Sequence, residues 1–138
     1  MKDFNQGAHL HLQQLGKPTP IPTSPKEASI ETIPNRWPNA DYVVNITCEE
    51  FTCLCPLTGQ PDFANIFIEY RPDELLVESK SLKLYLHSFR NEGTFHEHVI
   101  NCVLDDIVGA LAPRWCKITA DFAVRGGIGI CVDAEYKK

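Results

Sequence analysis

The stretch Cys116-Lys117-Ile118-Thr119-Ala120-Asp121-Phe122-Ala123-Val124-Arg125-Gly126-Gly127-Ile128-Gly129-Ile130-Cys131-Val132 reads as two strands around a tight turn. Cys116, Ile118, Ala120, Phe122 and Val124 alternate with Lys117, Thr119, Asp121 and Arg125. A period of two puts one set against a core and the other in water. Gly126-Gly127 supplies the positive φ angles of a hairpin turn. Ile128, Ile130 and Val132 give the last strand its inner face.

Upstream the period changes. Phe95, Val99, Val103, Ile107 and Leu111 mark the inner face of a helix that Pro113 stops. Thr94, with Glu97 three residues on, has the form of a capping box. Leu82, Tyr85, Leu86 and Phe89 recur at i, i+3, i+4 and i+7, predicting another helix over residues 79–89, and Asn91-Glu92-Gly93 separates the two. Earlier still, Tyr42, Val44 and Ile46 alternate as in a strand, and a second strand spans Phe63 to Tyr70. Residues 48–62, with their Cys, Pro, Gly and Gln, read as a loop. Arg71-Pro72-Asp73-Glu74 is a turn, followed by the short extended piece Leu75-Leu76-Val77. The order strand–strand–helix–helix–strand–strand predicts an α+β fold: an antiparallel four-stranded sheet with two helices on one face. Both edges of such a sheet are liabilities unless paired. Closure of several copies into a barrel would remove them, which predicts a homo-oligomer.

Residues 1–38 differ from the rest. Pro18, Pro20, Pro22, Pro25, Pro34 and Pro38 exclude regular helix and remove ladder donors. This segment reads as an extended arm, disordered or laid on a neighbouring subunit, and residues 39–138 as one domain. The 138 residues suit one core. Apolar residues at 43% and charged residues at 22% are ordinary for a soluble protein. A net charge of −5 argues against broad nucleic-acid binding. No apolar run approaches the ~20 residues of a bilayer span, and the N-terminus lacks a signal-peptide core. The chain is expected in the cytoplasm, where its six cysteines should be thiols.

Three groups of residues can carry chemistry. In Phe51-Thr52-Cys53-Leu54-Cys55-Pro56-Leu57-Thr58-Gly59-Gln60-Pro61-Asp62-Phe63, a thiol and a carboxyl sit on a stretch whose prolines fix its shape. A thiolate is the natural nucleophile and a nearby carboxylic acid can act as general acid. The plainer reading of Cys55 is a partly buried structural thiol. In Thr94-Phe95-His96-Glu97-His98, a carboxylate can take two parallel hydrogen bonds from a guanine-like edge, although helix capping is the simpler role. In Glu78-Ser79-Lys80-Ser81-Leu82-Lys83, two lysines three apart lie on the same side of a helix start and can meet phosphates, although from pattern alone a solvated basic edge is the plainer reading. Cys53-x-Cys55 and His96-x-His98 have poor spacing for zinc, since residues two apart on a helix point about 200° away from each other. No GxGxxG or P-loop is present, so a dinucleotide would not be held in Rossmann fashion.

Taken together, the Phe51–Phe63 stretch, Val77-Glu78-Ser79-Lys80-Ser81-Leu82-Lys83 and Phe95-His96-Glu97 resemble the NADPH-dependent 7-cyano-7-deazaguanine reductases, in their short single-module form. The resemblance covers roughly residues 35–135. It implies the tunnelling fold (T-fold), whose units assemble into barrels, with stacked rings and a decamer. It implies reduction of the nitrile of 7-cyano-7-deazaguanine, on the route to the tRNA base queuosine, without contact to tRNA. In this reading Cys55 forms a covalent thioimide and Asp62 supplies a proton. Val77, Glu78, Ser79, His96 and Glu97 bind the substrate. Lys80, Lys83, Arg125 and Gly126 contact NADPH, and no metal is implied. The competing readings are a cyclohydrolase-like or pterin-modifying enzyme of the same fold and a non-catalytic purine-binding module.

Overall fold

The computed structural model describes residues 11–138. Residues 1–10 of the predicted arm lie outside the described residues. The strands are β1 (Thr32–Pro34), β2 (Val44–Leu54), β3 (Pro61–Arg71), β4 (Leu75–Val77), β5 (Trp115–Arg125) and β6 (Ile128–Lys137), and the helices are α1 (Ser79–His87) and α2 (His96–Leu111). The main sheet has the order β2-β3-β5-β6, antiparallel throughout, while β1 pairs with β4. The expected strand–strand–helix–helix–strand–strand unit is therefore present, with a two-stranded addition made by the arm and the piece at 75–77.

One face of the sheet is dry. Ala64, Ile66, Ile68 and Tyr70 from β3 and Cys116, Ile118, Ala120 and Phe122 from β5 are all buried. Leu82, Tyr85 and Leu86 of α1 and Val99, Ile100, Val103, Leu104, Ile107 and Leu111 of α2 close over them. The opposite face presents Phe63, Asn65, Phe67, Asp121 and Asp133, all exposed. Among the described residues, no helix is long and apolar enough to cross a membrane.

Residues 48–62 are not one loop. β2 continues to Leu54 and β3 begins at Pro61, leaving only 55–60 as a turn. The strand was hidden in the sequence by a change of phase. Cys48 pairs with Ile66, but the next pair is Phe51 with Ala64, so Glu49 and Glu50 together oppose Asn65. This β-bulge moves the inward set from Val44, Ile46 and Cys48 to Phe51 and Cys53. A second bulge lies in β5, where Phe122 pairs with Ile130 and Arg125 with Ile128. Val124, expected on the inner face, is consequently 66% exposed.

The helix starts also differ from expectation. Thr94 does not cap α2. Its N–H donates to Leu54 O at 3.0 Å, and Phe95 takes the N-cap position with no side-chain cap. The cap that the sequence did not reveal is Glu78, whose carboxylate accepts from Lys80 N at 2.7 Å and Ser81 N at 2.8 Å at the start of α1.

The described part of the arm lies on its own domain. Leu12 is buried, and Glu31 N donates to Ser81 Oγ at 2.9 Å. Lys80 Nζ donates to Gln14 O, to Lys17 O at 2.7 Å and to Thr19 Oγ1 at 3.3 Å. Three acceptors satisfy an ammonium fully. Lys80→Met should leave those acceptors without their donor and loosen residues 11–19. Chymotryptic cleavage after the exposed Leu15 should then accelerate at least ~10-fold, read by mass spectrometry. Unchanged cleavage would mean that the arm is held elsewhere.

Candidate active site

The β2–β3 turn is fixed by Cys55 N donating to Gln60 O at 2.8 Å and Gly59 N donating to Cys55 O at 2.9 Å. Gly59 sits at φ 70°, where a side chain would be strained. The segment before α2 runs beside this turn. Leu54 N donates to Glu92 O at 2.9 Å, and Leu54 and Gly93 form a parallel bridge. A Cβ on Gly93 would stand 3.3 Å from Pro56 Cα, so the close approach depends on glycine. This clasp delivers His96, the first residue of α2, to the end of the β2–β3 hairpin.

Asp62 is the centre of the arrangement. It faces inward from β3 and is 4% exposed. Its Oδ2 lies 3.0 Å from His96 Nε2 and its Oδ1 lies 2.8 Å from Arg125 Nε. The His96 ring stacks on Phe122, with centroids 3.9 Å apart and planes 14° from parallel. Arg125 reaches Asp62 because the β5 bulge turns it toward the helix side just before the Gly126–Gly127 turn, whose φ angles are 59° and 77°.

The Cys55 thiol is half-buried and is pushed down to about 7. The Thr58 hydroxyl contributes most, followed by the Thr58 and Leu57 N–H groups. Slight burial opposes them and the Arg125 guanidinium adds a further donor. Its neighbour is the reverse case. Cys53 is fully buried and pushed up to about 11, by burial first and then by the charge of Asp62. Burial also pushes Cys116 up to about 12, and it raises Cys48 and Cys102. A thiolate is available near neutral pH at Cys55 and not at Cys53. Pattern alone had left that choice to the motif.

The remaining residues singled out in the sequence fall into two places. His96, Arg125 and Gly126, with Ala123, Ile128 and Ile130, line a hollow of about 360 Å³. Glu97 is exposed at the first turn of α2, and its carboxylate engages nothing among the described residues. Ser79 and Lys83 instead line a separate groove of about 340 Å³, with an apolar floor from Ile46, Phe51, Leu82 and Leu86. His87 and Arg90 complete its rim. Sequence reading passed over these two, although Lys83, His87 and Arg90 follow helical spacing. Val77 lies beside the groove's helix, its N–H donating to Tyr70 Oη at 3.2 Å. Glu78 is 5% exposed with both oxygens committed to the cap, and Lys80 is committed to the arm. Among the described residues, no three His, Cys, Asp or Glu side chains converge as a metal site would require.

A ββααββ unit with both helices on one face of an antiparallel sheet defines a tunnelling-fold protein, here with a lowered thiol on the turn of the hairpin that carries the buried Asp62. Residues 61–138 match the family described as QueF-like protein. The chain belongs to that family. It is 65% identical over 109 residues to the NADPH-dependent 7-cyano-7-deazaguanine reductase of Syntrophus aciditrophicus, covering 79% of this chain and 78% of that protein. It is 56% identical over 116 residues to the reductase of the same description from Anaeromyxobacter sp. (strain K), covering 84% and 94%. In shape it matches the apo crystal structure of the archaeosine synthase QueF-Like, with a TM-score of 0.65 at 22% identity over 70% of this chain and 95% of that one. That likeness concerns the fold.

Proposed function

We propose that this protein is an NADPH-dependent nitrile reductase that converts 7-cyano-7-deazaguanine to 7-aminomethyl-7-deazaguanine, in the cytoplasmic route to queuosine. The observation that carries the reading is the Cys55 thiol, lowered to about 7, on the same small platform as the buried Asp62. Relatives at 65% and 56% identity bear the name of this activity.

The Cys55 thiolate adds to the nitrile carbon, and Asp62 gives the proton that the nitrile nitrogen takes up, leaving a thioimide on Cys55. NADPH, when bound, supplies a hydride at each of two stages. After the first, the thiolate of Cys55 leaves and an imine remains. The second, with another proton, gives the primary amine. One nitrile therefore consumes two NADPH and two protons. His96, bonded to the far oxygen of Asp62, stands where it can restore the proton that Asp62 gives away. Glu97 is free to accept the ring N–H and exocyclic amine of the guanine-like edge. Ser79, Lys83, His87 and Arg90 fit an anionic dinucleotide, because three basic side chains, against the single carboxylate of Glu50, line an apolar groove of ordinary ligand-site size.

The same reading makes the protein a homo-oligomer, in stacked rings that sum to a decamer. β2 and β6 are the sheet's two edges. Leu57, Phe95, Val124 and Ile128 are 85%, 50%, 66% and 67% exposed around the site. Apolar side chains so placed favour cover by a second copy. The deciding experiment mixes protein, nitrile and NADPH and follows the near-ultraviolet absorbance of NADPH. Two NADPH should disappear per nitrile. No consumption by a folded oligomer would leave a purine-binding module.

A further inference from the structure

We propose that Phe122 is a positioning residue of the reductase site, whose ring fixes the plane of the His96 imidazole so that Nε2 stays aimed at Asp62. This rests on the reductase reading above, in which His96 returns a proton to Asp62. It goes beyond that reading by giving a part to a side chain with no acid–base chemistry of its own. The two rings lie face to face, with centroids 3.9 Å apart and planes 14° from parallel. In that plane Nε2 stands 3.0 Å from Asp62 Oδ2. A hydrogen bond at one ring nitrogen leaves an imidazole room to swing, because the terminal torsion of histidine is broad. A flat neighbour in contact along one whole face removes most of that freedom.

Phe122 is itself held. It is 3% exposed, it belongs to the core between sheet and helices, and its β3 partner across the ladder is the small Ala64. His96 is less enclosed. It is the first residue of α2, its side chain is 13% exposed, and it borders the hollow shared with Arg125 and Gly126. The β5 bulge begins directly after Phe122, so this is the last inward side chain before the strand changes phase. The two oxygens of Asp62 are thus served from either side of the bulge: Arg125 Nε holds Oδ1 at 2.8 Å, and Phe122 backs the imidazole that meets Oδ2. Proton return needs this aim. With a proton on each ring nitrogen, His96 breaks its Nε2–H bond and Oδ2 of the Asp62 carboxylate takes that proton. The imidazole is left neutral and is recharged from water at the hollow. A nitrogen turned out of line loses the transfer, because a hydrogen bond weakens steeply away from a straight approach.

The test uses the full chain and the variant Phe122→Leu, which fills similar space without a flat face. It should lower kcat about tenfold and leave KM for the nitrile and for NADPH within about twofold. Combined with His96→Ala, the same change should cost less than about twofold further, since a residue acting through His96 has nothing left to position. A second readout needs no turnover. Diethyl pyrocarbonate should modify His96 at least ~3-fold faster in Phe122→Leu, read by peptide mass spectrometry. Phe122→Met carries the same measurements if the leucine variant fails to fold. Unchanged kcat in a folded variant, an equal loss on the His96→Ala background, or an unchanged rate of His96 modification would overturn the proposal and leave Phe122 as core packing alone. Failure of the reductase reading would be seen separately, as no NADPH consumption by the unsubstituted protein, while the rate of His96 modification would still decide whether Phe122 holds the ring.

Discussion

Cys55→Ala is expected to eliminate the covalent adduct with 7-cyano-7-deazaguanine and to lower nitrile reduction by at least ~10⁴-fold. Without the thiolate there is no carbon–sulfur bond to hold the reacting carbon between the two hydride transfers. The neighbouring thiol cannot substitute. Cys53, two residues away, is fully buried and pushed up to about 11. Intact-protein mass spectrometry reads the result directly, because the thioimide adds the mass of the substrate. Binding of the base should survive, since Glu97 is untouched. An adduct persisting in Cys55→Ala would transfer the nucleophile to another cysteine. The pH dependence has a definite sign. The Cys55 thiol is lowered to about 7, so the thiolate fraction rises as pH passes upward through that value. Adduct formation in the unsubstituted protein should therefore be suppressed roughly tenfold one unit below it. A rate already at its plateau at pH 5 would contradict the assignment.

Asp62→Asn should be the next most damaging change. The amide keeps the shape of the carboxyl but can neither give up a proton in the same way nor answer the Arg125 cation. Loss of a positioned general acid costs about 10²–10⁴ in rate. Stability should suffer as well. Removing one member of a buried ion pair costs about 3–5 kcal/mol when all partners are dry. The Arg125 side chain is 34% exposed, and solvent can take over part of its charge. The expected loss is therefore smaller, about 1–3 kcal/mol, measurable as a lower urea midpoint. Cys55 should still be alkylated in this variant, which separates loss of the acid from collapse of the turn. Full activity in Asp62→Asn would remove Asp62 from the proton path.

Much of this architecture is legible in the sequence because it obeys simple periods. β3 alternates without interruption from Asp62 to Tyr70, and α2 keeps its apolar face from Val99 to Leu111. Reading fails where a second rule competes with the period. Glu49-Glu50 looks like the end of a strand because two exposed residues follow each other, yet the ladder resumes at Phe51. Thr94 has the chemistry of a cap, but its N–H is already spent on Leu54, so the helix begins later. Glu78 lies far from the usual capping preferences, and only its burial shows what it does. At the site, residue types pointed to Cys55 and Asp62. The pairing of Asp62 with both His96 and Arg125 joins β3, α2 and β5, and no local pattern encodes it. Lys80 and Lys83 look alike as neighbours on a helix. The fold separates them by laying residues 14–19 over the first and leaving the second beside an open groove.

The two β-bulges also constrain how this chain can change in length. Each is a single additional residue that reverses which way every later side chain on its strand points. Removing either Glu49 or Glu50 would restore an unbroken ladder in β2, and the sheet would lose nothing as a sheet. Phe51 and Cys53 would nonetheless turn from the core to the outer face, and the turn carrying Cys55 would rotate away from Asp62. Removing Ala123 or Val124 would do the same to Arg125. A deletion tolerated by backbone hydrogen bonding is thus forbidden by side-chain direction. Insertions and deletions in functional descendants of this protein should be confined to the arm and the connections, and should enter β2 or β5 only two residues at a time.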